Sequence, residues 1–162
     1  MYLGVTLDWS LSYREHLSCS AVKLNSRNNL IVKLAVTSWR PSASTLRTSA
    51  LALCYSVTEY CCTVWARSNY TNLTDTQLHS AMFLISGCLK PMQLSWLPVL
   101  SSVAPPSVCR KVATDNMLQI IEAHPNWPVC ADVFEHSSPR LASQRPIWSD
   151  ITSVSVNTIM LW

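Results

Sequence analysis

Two-metal phosphoryl chemistry needs carboxylates that converge on ions roughly 3.5–4 Å apart. The acidic residues of this chain are Asp8, Glu15, Glu59, Asp75, Asp115, Glu122, Asp132, Glu135 and Asp150, with no Asp-Asp pair among them. The seven cysteines, at 19, 54, 61, 62, 88, 109 and 130, form no C-x-x-C pair and have no histidine at finger-like spacing. Adjacent Cys61-Cys62 cannot easily give two ligands to one tetrahedral ion, and His16, His79, His124 and His136 are dispersed, so these thiols read as buried and reduced and no metal site is expected. With 2 glycines in the chain, Gly-dependent phosphate loops and nucleophile elbows are excluded, and there is no H-E-x-x-H. What remains is electrostatic. Arg14, Lys23, Arg27 and Lys33 fall in one long helical pattern, and Arg110-Lys111 open a later one. Such cations either track phosphates or form a solvated helix face. A net charge of +3 does not choose between the two.

The elements that must position these residues are mostly helical. Tyr2 to Leu7 alternates like a short β-strand, and Asp8 or Ser10 starts a turn. From Ser12 the period changes: Leu17, Ala21, Leu24, Asn28, Ile31 and Ala35 step by four and three along one helix face. Asn28 inside that stripe needs a hydrogen-bond partner or a place near its rim. Thr37 to Ser42 is a loop, because Pro41 disfavours helical geometry at Arg40. A second helix is predicted over 42–65, with Leu46, Ala50, Leu53, Val57, Tyr60 and Val64 inward, apolar on nearly every side and so central. A third should run from about Thr71 or Thr74 to Ser86, with Leu78, Met82 and Ile85 inward and Gly87 as its stop. Gln93 to Leu97, between Pro91 and Pro98, suits one short helical turn. Pro105-Pro106 introduce a fourth helix, Ser107 to Ala123, carrying Val108, Val112, Met117, Ile120 and Ile121, and Pro125 and Pro128 end it. The fold class is therefore mainly α, a bundle of about four helices with a short N-terminal β-strand and an irregular Pro-containing tail.

Several stretches together resemble the reverse transcriptase of jockey-like non-LTR (LINE-type) retrotransposons. They are Tyr2-Leu3-Gly4-Val5-Thr6-Leu7-Asp8, Leu11-Ser12-Tyr13-Arg14-Glu15-His16-Leu17, the run Thr45-Leu46-Arg47-Thr48-Ser49-Ala50-Leu51-Ala52-Leu53-Cys54-Tyr55-Ser56-Val57, and Ser95-Trp96-Leu97-Pro98-Val99-Leu100. Val64-Trp65-Ala66-Arg67-Ser68 and Arg110-Lys111-Val112-Ala113-Thr114-Asp115 extend the likeness over roughly residues 2–150. The resemblance implies a primer-grip-like strand at 1–8 (Tyr2, Leu3, Gly4, Val5), a helical thumb-like domain at 9–124, and an extended connector at 125–162 that diverges from about 153. It also implies an RNA-directed DNA polymerase whose metal-bound aspartates lie on a palm upstream of Met1. The expectation is then a non-catalytic thumb-and-connector fragment of this transposable element, needing no cofactor itself because the divalent metal belongs to the palm. Its implied partners are an RNA/DNA primer-template, held weakly at the backbone by Arg14, Lys23, Arg27, Lys33, Arg110 and Lys111, and the fingers and palm of the parent polymerase.

Departures from that family reduce the expectation of activity. Relatives carry Gly where this chain has Val36 and Arg40-Pro41, and are more basic around Gly87 to Leu94, where Lys90 is the single cation. The last stretch, Ser153 to Trp162, is apolar and uncharged where relatives continue into a basic segment; premature termination or a shifted frame would explain it, and it reads as aggregation-prone. A charged fraction of 13%, about half the usual value, and 7 tryptophans suggest surface normally covered by neighbours. Two alternatives stand beside the favoured reading: an incomplete gene model of an active reverse transcriptase, which an in-frame upstream Asp-Asp motif would establish, or a recruited helical protein-interaction module. No secretory signal and no membrane-length apolar run are seen, so an intracellular site in cytoplasm or nucleus is expected, with the sequons at Asn69 and Asn72 unmodified.

Overall fold

A computed structural model describes residues 1–38, 41–88 and 91–134. The fold is mainly α. Its helices are α1 (Arg14–Ala35), α2 (Ala43–Ala50), a π-helical turn (Leu51–Tyr55), α3 (Ser56–Glu59), α4 (Cys62–Trp65), α5 (Asn72–Ser86), α6 (Leu97–Ser101), α7 (Pro106–Ala123) and α8 (Pro128–Phe134). Two compact units divide the chain, Met1–Lys111 and Val112–Trp162, with the boundary inside α7.

The predicted N-terminal strand is corrected to a tight turn. Tyr2 and Val5 exchange both backbone hydrogen bonds, at 2.8 and 2.9 Å, and no strand extends from the pair among the described residues. Leu3 and Gly4 take φ of 43° and 82°, and it is these left-handed positions that reverse the chain. Alternation of residue types from Tyr2 to Leu7 does not reveal such a reversal.

Helix α1 begins where Asp8 can serve it. The Tyr13 N–H donates to Asp8 Oδ1 at 2.8 Å and the Ser12 hydroxyl donates to Oδ2, which holds the positive-φ residues Leu11 and Tyr13 in place ahead of the helix. The predicted stripe is recovered at Leu17, Leu24, Asn28 and Ile31, with Ser20 in place of Ala21 on the buried face. Asn28 is buried and satisfied: its Nδ2 donates to the Gln77 carbonyl at 2.8 Å, and Cys54 Sγ–H donates to its Oδ1 at 3.4 Å. That bridge sits where α1 crosses α5, the most extensive helix contact of the first unit.

The predicted single helix over 42–65 is broken and re-phased. Ser42 caps its start by accepting from the Thr45 N–H at 3.3 Å. After Ala50 the π-helical turn inserts an extra residue per turn, and every later side chain is rotated relative to an ideal α-helix. The buried positions are accordingly Cys54, Tyr55, Thr58, Cys62 and Trp65; Leu53 and Val57 of the expected stripe stay half-buried against the core with the next residue buried more deeply, while Val64 gives way to Trp65. Tyr60 and Val64, read as inward, are 53% and 46% exposed, and Leu51 is exposed as well, so this segment is not enclosed on all sides. Cys61, with φ 51°, separates α3 from α4.

Leu24, Ile31, Leu46, Ala50, Cys54, Tyr55, Leu78, Met82, Ile85 and Leu97 form one core, joining α1, α2, the π-turn, α5 and α6. Helix α5 buries Leu78, Met82 and Ile85 as expected; the Gly87 N–H donates to the Phe83 carbonyl at 3.0 Å, and the left-handed φ of 66° at Gly87 then turns the chain out of the helix. On α7 Ile121 is buried as predicted, together with Thr114 and Leu118, while Met117 and Ile120 are exposed and Val108 and Val112 half-buried, which corrects the stripe at Met117 and Ile120. The start of the predicted connector is corrected too: Pro128 opens α8 instead of preventing a helix, as its fixed φ suits a first turn. Leu118, Ile121 and Val133 then make a small core of the second unit with Cys130 and Phe134. Trp39-Arg40, Lys90 and the tail from 135 onward, including the divergent Ser153 to Trp162, lie outside the described residues.

Candidate nucleic-acid interface

The primer-grip-like residues occupy the N-terminal turn. Tyr2, Leu3 and Gly4 face solvent while Val5 is buried. Tyr60 fixes the turn from one side: its hydroxyl donates to the Leu3 carbonyl at 2.7 Å, and a Cβ on Gly4 would meet its ring at 3.1 Å. Tyr60, exposed because of the re-phasing, is what supports this turn.

The six cations do not form one stripe. At about 100° per residue, Lys23 and Arg27 lie one turn apart on the same side of α1, Lys33 lies roughly a quarter-turn away from Lys23, and Arg14 is on the opposite side. Arg14, Lys23, Lys33 and Lys111 are exposed. Arg14 carries its guanidinium 5.4 Å from the centre of the Tyr70 ring. Arg27 is half-buried and donates to the Leu53 carbonyl, a group within the π-helical turn, so it supports the fold. Arg110 pairs bidentately with Asp75, Nη1 to Oδ1 at 2.5 Å and Nη2 to Oδ2 at 2.9 Å, and lies 5.8 Å from the centre of the Trp65 ring. Two of the six predicted phosphate contacts are thus committed to protein groups. The pairing of residues 35 apart in sequence has no signal in spacing.

Around Arg110 lies a cleft that the sequence reading did not anticipate. Tyr55, Thr58, Glu59, Trp65, Leu78, Pro106, Cys109 and Arg110 line it. Its inner volume is about 10 Å³, far below a substrate pocket. Burial pushes the Cys54, Cys62 and Cys109 thiols upward, so they stay protonated near neutral pH. All seven cysteines are unbridged, but Cys19 is exposed, which corrects the reading of uniformly buried thiols. Among the described residues no three His, Cys, Asp or Glu side chains gather as a metal site, and no helix is long and apolar enough to cross a membrane.

Titration separates two groups near the turn. Asp8 is lowered to about 2, chiefly by the Ser12 hydroxyl and also by the Tyr13 N–H. His16 is lowered from 6.5 by burial first and by the charge of Lys23 second, and its Nδ1 accepts from the Thr6 N–H at 3.4 Å. In the unfolded chain His16 takes its proton at the ordinary value, so just below it the unfolded state binds more protons. Stability is therefore expected to fall as pH drops through 6.5 toward the lower folded value and to stop falling from this source below that. Urea midpoints from pH 8 to 5 check this, with His16→Gln predicted to flatten the profile.

No family model, curated protein or solved structure matches the chain. The class its structure defines is a mainly α protein with dispersed surface cations.

Proposed function

We propose that the chain serves as the thumb-and-connector module of a jockey-like, LINE-type RNA-directed DNA polymerase, binding the phosphate backbone of an RNA/DNA primer-template weakly and contributing no catalytic residue. The observation that carries this reading is where the resembling stretches fall: the N-terminal turn, the start of α1, the α2 and π-helical run, α4, α6 and α7. They thus coincide with the elements of a helical bundle, as a thumb requires. Lys23 and Lys33, exposed on α1, supply backbone contacts, with Lys111 exposed on α7; Arg14 lies on the opposite side of α1 from Lys23. Polymerisation, and any divalent metal it uses, would belong to fingers and palm.

Salt dependence tests the residues. For a labelled hybrid duplex, log affinity should fall linearly with log salt, by about 0.9 per phosphate neutralised. Lys23→Ala with Lys33→Ala is expected to flatten that slope by about one to two units. Arg27→Ala should leave the slope alone and lower stability, because its guanidinium is engaged with Leu53. An unchanged slope in the double lysine variant would remove those residues from the interface.

A second reading, a helical protein-interaction module, is favoured by one observation. Trp9 is fully exposed, and Leu94, Trp96, Val99 and Leu100 also face outward. Binding through such groups would change little with salt.

A further inference from the structure

The segment 51–65 carries two apolar faces, and the structure buries one of them. At about 100° per residue, an unbroken α-helix continuing from Leu46 would keep Leu53, Val57, Tyr60 and Val64 within about 40° of that leucine. It would also carry Tyr55 and Cys62 roughly 160–180° round to the far side. Instead the π-helical turn Leu51–Tyr55 leads to a buried Tyr55 and Cys62, exposed Tyr60 and Val64, and Leu53 and Val57 at the margin of the core. This arrangement carries a cost on its own face. Tyr55 Oη is buried with no hydrogen-bond partner among the described residues, whereas such hydroxyls are ordinarily satisfied.

What holds the π register comes from α1, where two consecutive residues grip two consecutive residues of the turn. The Arg27 guanidinium donates to the Leu53 carbonyl, and Asn28 Oδ1 accepts from Cys54 Sγ–H at 3.4 Å. Asn28 is itself fixed, its Nδ2 donating to the Gln77 carbonyl at 2.8 Å. At the other end of the segment Tyr60 reports the register, because in its exposed position its hydroxyl donates to the Leu3 carbonyl at 2.7 Å and holds the N-terminal turn.

We infer that 51–65 is a two-register element: a π register clamped by Arg27 and Asn28, in which Tyr60 holds the N-terminal turn, and an α register in which Tyr60 swings inward and releases it. Packed elements choose between discrete arrangements instead of deforming continuously, and π-bulges within α-helices often sit at functional sites. The apolar Leu53, Val57 and Val64 give the second register a face to pack, which a merely frayed helix lacks.

Thiol alkylation of the native full chain, mapped residue by residue with tandem mass spectrometry, reads the register. Cys62 is buried in the π register and lies on the far side in the α register, while Cys54, one turn after Ala50, stays near the buried face in both. Arg27→Met keeps the aliphatic stem and is expected to speed alkylation of Cys62 about tenfold with Cys54 unchanged, the scale of one lost hydrogen bond from a charged donor. Hydrogen exchange at the Val5 N–H, bonded to the Tyr2 carbonyl at 2.9 Å, should rise in the same variant. Val64→Lys changes a position that is exposed in the π register and inward in the α register. Added to Arg27→Met it is expected to restore protection of Cys62, and alone to slow Cys62 alkylation below the wild-type rate. Cys62 that stays protected in Arg27→Met, or becomes reactive together with Cys54, overturns the proposal. So does an unchanged Val5 exchange rate, or a Cys62 rate that Val64→Lys leaves unaltered, since fraying does not depend on which face Val64 takes.

Discussion

Trp65→Ala is expected to destabilise the chain by about 3–5 kcal/mol, while Val64→Ala is expected to change stability by about 0.5 kcal/mol or less. The contrast follows from the π-helical turn. An uninterrupted helix from Ser42 onward would put Val64 inward, in step with Leu46 and Ala50; instead Val64 is 46% exposed and Trp65 2%. Removing the indole empties a large buried volume and strips the aromatic face from Arg110, 5.8 Å away. Removing two methyl groups from a half-exposed valine does neither, and alanine is the better helix former. Urea unfolding of both variants checks the pair. Equal costs, or a larger cost at Val64, would mean that the buried face is not shifted.

Asp75→Ala is expected to cost about 3 kcal/mol, more than truncation of an exposed carboxylate would. Both partners of the Asp75–Arg110 pair are largely withdrawn from water, at 23% and 11% side-chain exposure, and both oxygens of Asp75 are used. Asp75→Ala removes both charge-assisted hydrogen bonds to Arg110, whose guanidinium stays in the same partly buried place beside Trp65. Asp75→Asn should fall between, since one acceptor survives. The same unfolding experiment decides it: a cost below about 1 kcal/mol would class the pair with ordinary surface salt bridges.

How far the fold was legible depends on what each element left in the residue pattern. Helix α1 could be read because its stripe runs from Leu17 to Ile31 without Gly or Pro, and α5 because Gly87 closes it with a conformation other residues adopt at a cost. The π-helical turn could not, since Leu-Ala-Leu-Cys-Tyr suits an α-helix equally well and the extra residue is chosen by tertiary packing. For the same reason the residue pattern conceals the burial of Tyr55 and Trp65 and the small cleft beside them, and marks Tyr60 as inward although its hydroxyl supports the N-terminal turn. Pro128 was ambiguous in principle, because proline both ends helices and starts them. At the interface, the cations themselves were visible in sequence. Their engagement was not: Arg27 with Leu53 and Arg110 with Asp75 depend on contacts 26 and 35 residues apart.

The most direct test of the proposed role is the affinity of the wild-type chain for a labelled RNA/DNA primer-template, followed by anisotropy as salt is raised from about 50 to 200 mM, the range over which phosphate contacts lose most of their strength. Weak binding is expected whose logarithm falls linearly with log salt, with a slope of about 2–3 for the exposed cations Lys23, Lys33 and Lys111. No binding at the lowest salt, or binding whose strength is independent of salt, would contradict it.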